Sequence, residues 1–216
     1  MLKDKKVLIT AGPVWVPIDR VRVITNIFSG ELGYVIAKAF AKQGAIVTLL
    51  MGPGRMPIIP EQEKFSVIRF RYFDEILDLV KTEIGSQNYE VMIHSAAVSD
   101  YQPKERQTGK IKSGQGSLQI NFKPTVKIVD LVKDLDPNIF LIKFKLEVGV
   151  AKSELVEIAY QSMLDSRADL IVANEFGEAT ADQHRAYIID QNKNIIDCLG
   201  KNNIAEQLIT LLNKQK

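Results

Sequence analysis

Cysteine is nearly absent. Cys198 stands alone among 216 residues, which excludes an internal disulfide framework of the kind that staples small secreted domains. A surplus of one charge is missing too. The 28 Lys and Arg against 26 Asp and Glu leave a formal net charge of +2, so no global field recruits nucleic acid or an anionic membrane. No apolar run approaches the roughly 20 residues needed to span a bilayer, and the opening MLKDKKVLIT carries no signal-peptide core. Histidine is limited to His94 and His184. Neither has a second histidine or thiol at ligand spacing, so no structural zinc and no protein-built metal cluster is expected. No Gly-x-Ser-x-Gly elbow occurs, and no serine triad can be argued. These absences leave a near-neutral chain, expected to be cytoplasmic and to form one domain over 1–216.

What is present alternates. VLIT (7–10) is a buried strand, and GELGYVIAKAFAKQG (30–44) a helix with Leu32, Ile36, Ala37 and Phe40 on one stripe. AIVTLLMGP (45–53) and FSVIRF (65–70) are further strands, and Asp74 is placed to cap the helix DEILDLVKTEIG. YEVMIHSAAVSDY (89–101) is a fourth strand running into a small-residue turn. A polar, basic, glycine-containing excursion follows at about 102–123, of the kind that forms a functional loop or an extended hairpin arm. Then come a helix-like TVKIVDLVKDL, a strand at 138–148, a helix that Ser153 can cap with Glu154 and Glu157 in its first turn, and a strand at 168–176. HRAYIID and IIDCLG around QNKN make a terminal hairpin, and IAEQLITLLNK closes as a helix. Strand and helix in alternation predict an α/β fold: a doubly wound, Rossmann-like, mostly parallel sheet with an extended lysine-bearing arm and a C-terminal hairpin.

The glycines raise the main question. After VLITAG ends at Gly12, a nucleotide-binding unit normally runs straight into the helix whose first amides hold phosphate. Here Gly30 and Gly33 arrive 18 and 21 residues later. Ser29 and Gly30 before an apolar helix supply free amides at a positive dipole end, which suits either anion binding or close packing. Asn26 either turns the chain or offers a ligand both donor and acceptor. Asp100 ends SAAVSD beyond a strand's C-terminus, where ligands gather in open α/β sheets. Lys110 and Lys112 are either solvated or, on a glycine-flanked arm that folds over the sheet, neutralise a polyphosphate. His94 sits in an apolar run, where a satisfied strand-end histidine is the commoner role.

Several segments occur together and in order: TAGPVWVPIDRVRVITNIFSGELG, HSAAVSDYQPKERQTGKIKSG, FKPTVKIVDLV, IKFKLEV, and DLIVAN with ADQHRA. Together they resemble the phosphopantothenate–cysteine ligase family, over nearly the whole chain. With no flavin-dependent decarboxylase domain ahead of Val7, the stand-alone bacterial form is the nearest likeness. The resemblance implies activation of 4'-phosphopantothenate by a nucleoside triphosphate, CTP or ATP with Mg2+, and attack by cysteine on the acyl-nucleotidylate. It also implies a homodimer, a separate decarboxylase partner and small-molecule substrates only. Carried over by position, Asn26 contacts the acyl intermediate and Lys110 rides the closing arm. Ser29 and Gly30 form the phosphate turn, while Gly12, Ala96, Ala97, Asp100, Pro124, Thr125, Val126 and Phe144 belong to the nucleotide site. The loop after Gly12 then builds the acid pocket, with Arg20 and Arg22 available for the substrate phosphate. Departures from the family pattern stand at Pro13, Ser113, Lys143, Gln161 and Asp165, with Lys143 or Lys123 as replacements for lost positive charge. An NAD(P)-dependent reductase, for which Arg55 would meet a 2'-phosphate, and a binding relative without turnover are the alternatives.

Overall fold

Each apolar run pairs with its neighbours in parallel because an amphipathic helix crosses back between them and needs the sheet to cover its apolar stripe. The computed structural model describes residues 2–54, 64–114, 116–176 and 185–214. Arg55 and His184 lie outside them. The main strands are β1 (Lys6–Ala11), β4 (Ile46–Met51), β5 (Ser66–Arg69), β6 (Val91–His94), β9 (Phe140–Glu147), β10 (Leu170–Glu175), β11 (Arg185–Asp190) and β12 (Ile195–Leu199). Between them lie two small ribbons, β2 (Val16–Pro17) with β3 (Val23–Ile24), and β7 (Tyr101–Pro103) with β8 (Phe122–Pro124). The helices are α1 (Glu31–Lys42), α2 (Phe73–Gln87), α3 (Ile128–Leu135), α4 (Lys152–Asp165) and α5 (Lys201–Lys214).

The eight main strands form one sheet in the order β12-β11-β10-β9-β6-β1-β4-β5. Six of them, from β10 to β5, run parallel, and β11 and β12 add the expected C-terminal hairpin in antiparallel register. This is the doubly wound arrangement, and its order reverses between β1 and β6. The chain therefore leaves these two adjacent strands toward opposite faces and opens a crevice beyond their carboxyl ends. One core packs α1 and α5 on the first face, including Ile9, Ile36, Phe40 and Leu208; the other packs α2, α3 and α4, including Leu8, Ile76, Val132 and Ala159. Burying Ile36 and Phe40 contributes about 1.5–3 kcal/mol each toward fixing α1.

Four local expectations are corrected. Helix α2 opens at Phe73 rather than after a capping Asp74, because the Glu75 carboxylate reaches back to accept from the N–H groups of Arg71 at 2.6 Å and Tyr72 at 3.2 Å. Asp74 pairs instead with Arg106 at 3.0 Å. Ser153 does not cap α4, since Leu155 N–H already reaches the carbonyl of Ala151 at 2.9 Å and the helix opens at Lys152; Glu157 lies beyond the first turn, bonded to Lys193 at 2.5 Å. Helix α3 starts at Ile128 because Thr125 is held by Asp100 O and Ser99 O. The strand expected over 89–101 stops at His94, and Tyr101–Pro103 pairs with Phe122–Pro124 to make the base of the arm, which is a hairpin.

Candidate nucleotide and acid site

Glycine fixes the floor of the crevice. Gly30, at φ 85°, turns into α1 with its α-carbon so close to Gly12 that an added Cβ would stand 2.9 Å from the Gly12 Cα. Gly33, one turn along, would drive a Cβ to 2.4 Å from Ala11 Cβ and 2.8 Å from Ser95 Oγ. Helix α1 is thereby pressed end-on against the last residues of β1 and β6. Within it, Tyr34 is the first residue whose N–H reaches a carbonyl of the turn, Gly30 O at 3.2 Å. Glu31 N–H is bonded to Ser29 Oγ at 3.2 Å. The amides of Leu32 and Gly33 precede the ladder and open on the crevice, where the helix dipole favours an anion.

The opposite lip follows β6. Ser95 N–H and Oγ donate to Thr10 O at 3.1 and 2.8 Å, and Ala97 N–H donates to Gly12 O at 2.9 Å. The chain thus runs beside the β1 turn as Ser95-Ala96-Ala97 and continues to Asp100. Asn26, at the end of the long loop, donates from Nδ2 to Ala97 O at 2.9 Å. A carboxamide from the loop is therefore fastened to the turn that borders the α1 amides.

These walls enclose one cavity of about 800 Å³. Of the residues expected from sequence, Gly12, Asn26, Ser29, Gly30, Ala96, Ala97, Asp100, Thr125, Val126 and Phe144 line it. Pro124 lies on exposed β8 behind Thr125, and Lys110 and Arg20 are exposed and do not line it. Arg22 is engaged elsewhere. Its guanidinium pairs with Asp19 at 2.5 Å and reaches Ile111 O at 3.4 Å, and the exposed side chain does not line the cavity. The departures also find places: Gln161 and Asp165 hydrogen-bond each other at 3.0 Å on an exposed stretch of α4, Ser113 and Lys123 are exposed on the arm, and Pro13 is buried at a bridge to Ala97.

Lys143 behaves differently. It sits in a row across the sheet, Leu50-Thr10-His94-Lys143-Ile171, whose outer members are apolar and whose polar centre spans the switch point. Thr10 Oγ1 and His94 Nδ1 are 2.9 Å apart. Burial, and then the neighbouring Lys143 ammonium, lower the His94 pKa to about 4. This histidine is thus neutral at physiological pH, with Nδ1 paired to Thr10, and it lines the cavity. Lys143 is only 7% exposed, and burial lowers its pKa from the ordinary lysine value. Its ammonium bonds Ser162 O at 2.9 Å, Ser162 Oγ at 3.0 Å and Ser166 Oγ, yet the residue still lines the cavity.

Sequence reasoning missed the cations contributed from afar. Lys127, Lys145, Lys152, Arg185 and Lys201 line the cavity beside Lys143, against the carboxylates Glu31, Asp100 and Glu175. Lys201, at the start of α5, pairs with Glu31 at the start of α1 across 170 residues of sequence. No local pattern announces that contact; only the hairpin that returns the chain to the edge of the sheet creates it. Lys201 offsets the carboxylate that stands beside the α1 amides. Among the described residues no cluster of His, Cys, Asp or Glu could hold a metal ion.

The excess of cation, the exposed helix amides and the apolar wall of Phe144, Val126 and Val129 suit a nucleotide polyphosphate with its base. The chain is 34% identical over 208 residues to the coenzyme A biosynthesis bifunctional protein CoaBC of Thermococcus kodakarensis, covering 96% of the chain and 50% of that relative. It thus spans about half the length of the curated relatives it matches. Among solved structures it is similar to the DNA/pantothenate metabolism flavoprotein from Streptococcus pneumoniae, at 33% identity and a TM-score of 0.88, covering 98% of this chain and all of that one. It is also similar to the C-terminal domain of a coenzyme A biosynthesis bifunctional protein CoaBC, at 28% identity and a TM-score of 0.79, covering 98% and 95% of the two chains. Residues 2–215 match the family described as the DNA/pantothenate metabolism flavoprotein C-terminal domain, and the chain belongs to that family.

Proposed function

We propose that this chain is a ligase that joins 4'-phosphopantothenate to L-cysteine in coenzyme A biosynthesis, activating the acid with a nucleoside triphosphate. CTP is the expected nucleotide and ATP the alternative, with Mg2+ entering on the phosphates rather than on protein ligands. The proposed setting is a cytoplasmic homodimer that takes small molecules and works beside a decarboxylase; no helix among the described residues is long and apolar enough to cross a membrane. The observation that carries the reading is that one cavity joins two walls, the opening amides of α1 and the Asn26 carboxamide fastened to Ala97 at 2.9 Å. A reductase needs no acid pocket beside its phosphate turn; an acyl-activating ligase does.

The chemistry divides in two. A carboxylate oxygen of the acid attacks the α-phosphorus, the acyl O–P bond forms, and the bond to the β-phosphate breaks to release pyrophosphate. The cysteine amine then attacks the acyl carbon, the C–N bond forms, the C–O bond to the nucleotide breaks, and the amine's proton passes to solvent as the nucleoside monophosphate leaves. Neither step requires a protein nucleophile. The chain's part is to hold the carboxylate against the α-phosphorus, through Asn26, and to offset charge with the Leu32 and Gly33 amides, Lys143 and the arm's Lys110.

Pyrophosphate release tests the reading. The expected result is release that requires the triphosphate and 4'-phosphopantothenate together, with amide product appearing only when cysteine is added. Oxidation of NADPH by a carbonyl substrate, or nucleotide binding with no turnover under any of these conditions, overturns it.

A further inference from the structure

The most completely bonded carboxylate outside the cavity is Asp19, between β2 and β3. Its side chain is fully buried. Oδ1 accepts from Val21 N–H and Arg22 N–H, both at 2.8 Å; Oδ2 accepts from Arg22 Nη1 at 2.5 Å and from Ile111 N–H at 3.0 Å. Three of these donors belong to its own loop. The fourth belongs to the arm, 92 residues away.

That cross-link does not stand alone. Gln107 N–H donates to Ile18 O at 3.3 Å, Arg20 N–H donates to Gly109 O at 3.4 Å, and the Arg22 guanidinium reaches Ile111 O. Residues 107–111 are therefore laced to residues 18–22, and Lys110 lies between two anchored neighbours. The other end of the same loop carries Asn26 to Ala97. Since the loop's ribbon is only two residue pairs long, backbone pairing alone is a weak clamp. The charged bonds at Asp19 supply what the ribbon lacks, because hydrogen bonds to an ionised acceptor are shorter and about twice as strong as neutral ones.

We propose that Asp19 is a positioning residue that yokes the acid-presenting loop to the lysine arm, so that Asn26 and Lys110 are set as one unit. In this arrangement Arg22 serves the yoke rather than a substrate phosphate. The inference rests on the ligase reading for its kinetic consequence but not for its structural one, and its test separates the two.

The test compares the full-length chain with Asp19→Asn, which keeps the volume and removes the charge. Amide hydrogen exchange is expected to speed up about 10- to 100-fold at Ile111, the loss of one bond to a charged acceptor, with the amides of β1 unchanged. In turnover, Asp19→Asn is expected to lower kcat about 10- to 100-fold while the KM for the triphosphate stays within about twofold. In a Lys110→Ala background the same change is expected to lower kcat less than about twofold, because the arm it positions has lost its working group. Unchanged exchange at Ile111, or an equal kcat loss in both backgrounds, overturns the proposal. If Asp19→Asn fails to fold, Arg22→Gln, which removes one donor and leaves Asp19 in its turn, is expected to speed Ile111 exchange by a smaller factor. Its failure to do so also overturns the proposal. If the chain shows no turnover, the ligase reading falls and the exchange result alone decides the yoke.

Discussion

The ammonium of Lys143 on β9 is held 2.9 Å from the backbone carbonyl of Ser162 on α4, in the wall of the cavity, and among the described residues no carboxylate is hydrogen-bonded to it. Its hydrogen-bond partners are neutral, and although Asp130 and Asp165 act on it from a distance, part of its field falls on whatever occupies the cavity. Lys143→Met is expected to raise the KM for the nucleoside triphosphate roughly tenfold, the scale of one unit charge acting over about 10 Å at an effective dielectric of about 20. Folding stability is expected to change by less than about 1.5 kcal/mol, because Ser166 Oγ already donates to Ser162 O at 2.8 Å and leaves few groups unpaired. Steady-state kinetics with nucleotide and acid varied separately, beside urea unfolding, check both.

His94 predicts an acid-labile fold. Its pKa lies near 4 when folded and near 6.5 when unfolded, so between these values the unfolded chain binds more protons and stability falls as pH falls. From pH 7 to pH 5 this group alone is expected to remove about 2 kcal/mol. Asp19 adds nothing in that window. Burial raises its pKa, but the N–H groups of Ile111, Val21 and Arg22 and then the Arg22 charge outweigh that effect and leave it near 2. Its contribution is present above the ordinary carboxylate range and is lost only as pH falls toward 2. Urea titrations at pH 7 and pH 5 on the wild type and on His94→Asn are expected to show a smaller pH-dependent loss in the variant.

Gly33→Ala tests the close packing that builds the phosphate turn. The new methyl would meet Ala11 Cβ at 2.4 Å and Ser95 Oγ at 2.8 Å, and neither is the tip of a flexible side chain. Overpacking of this kind costs about 1–3 kcal/mol. Thermal unfolding reads the cost, and a rise in triphosphate KM larger than any change in acid KM shows that α1 has been lifted from the site.

Asn26→Ala removes the tether to Ala97, and Asn26→Asp replaces a donor with an acceptor facing the same carbonyl. For the alanine variant kcat is expected to fall on the order of 10²- to 10³-fold, and for the aspartate variant further. Both are expected to unfold within a few degrees of the wild type, since the loop is peripheral to both cores. Calorimetry and pyrophosphate release measured on the same samples check the pair.

Much of the fold is legible in the sequence. The fully buried run Val7–Thr10 and the apolar stripe of α1 are periodic signals, so the sheet and its crossovers follow from them. The glycines and the small-residue turn at Ala96–Ala97 point to the switch point because only small residues permit that approach. Helix starts were read less well: Asp74 and Ser153 are good capping types, but Glu75 and the backbone of Ala151 had already fixed the helices' first turns. What could not be read was long-range. Lys201 beside Glu31, Ile111 bonded to Asp19, and Lys143 turned under α4 each depend on two segments meeting, and no spacing in one segment encodes the other's position. The Asp19–Arg22 pair is different: it spans only three residues, and the sequence marks neither that Asp19 is buried nor that Arg22 bonds it.

The central claim is that a single crevice holds both the triphosphate and the acid, and a crystal structure with 4'-phosphopantothenate and a non-hydrolysable CTP analogue tests it most directly. The account predicts the phosphates on the Leu32 and Gly33 amides, the base against Phe144 and Val126, and the acid's carboxylate within reach of Asn26. Phosphates bound away from the start of α1, or a carboxylate separated from Asn26 by a closed loop, would contradict it.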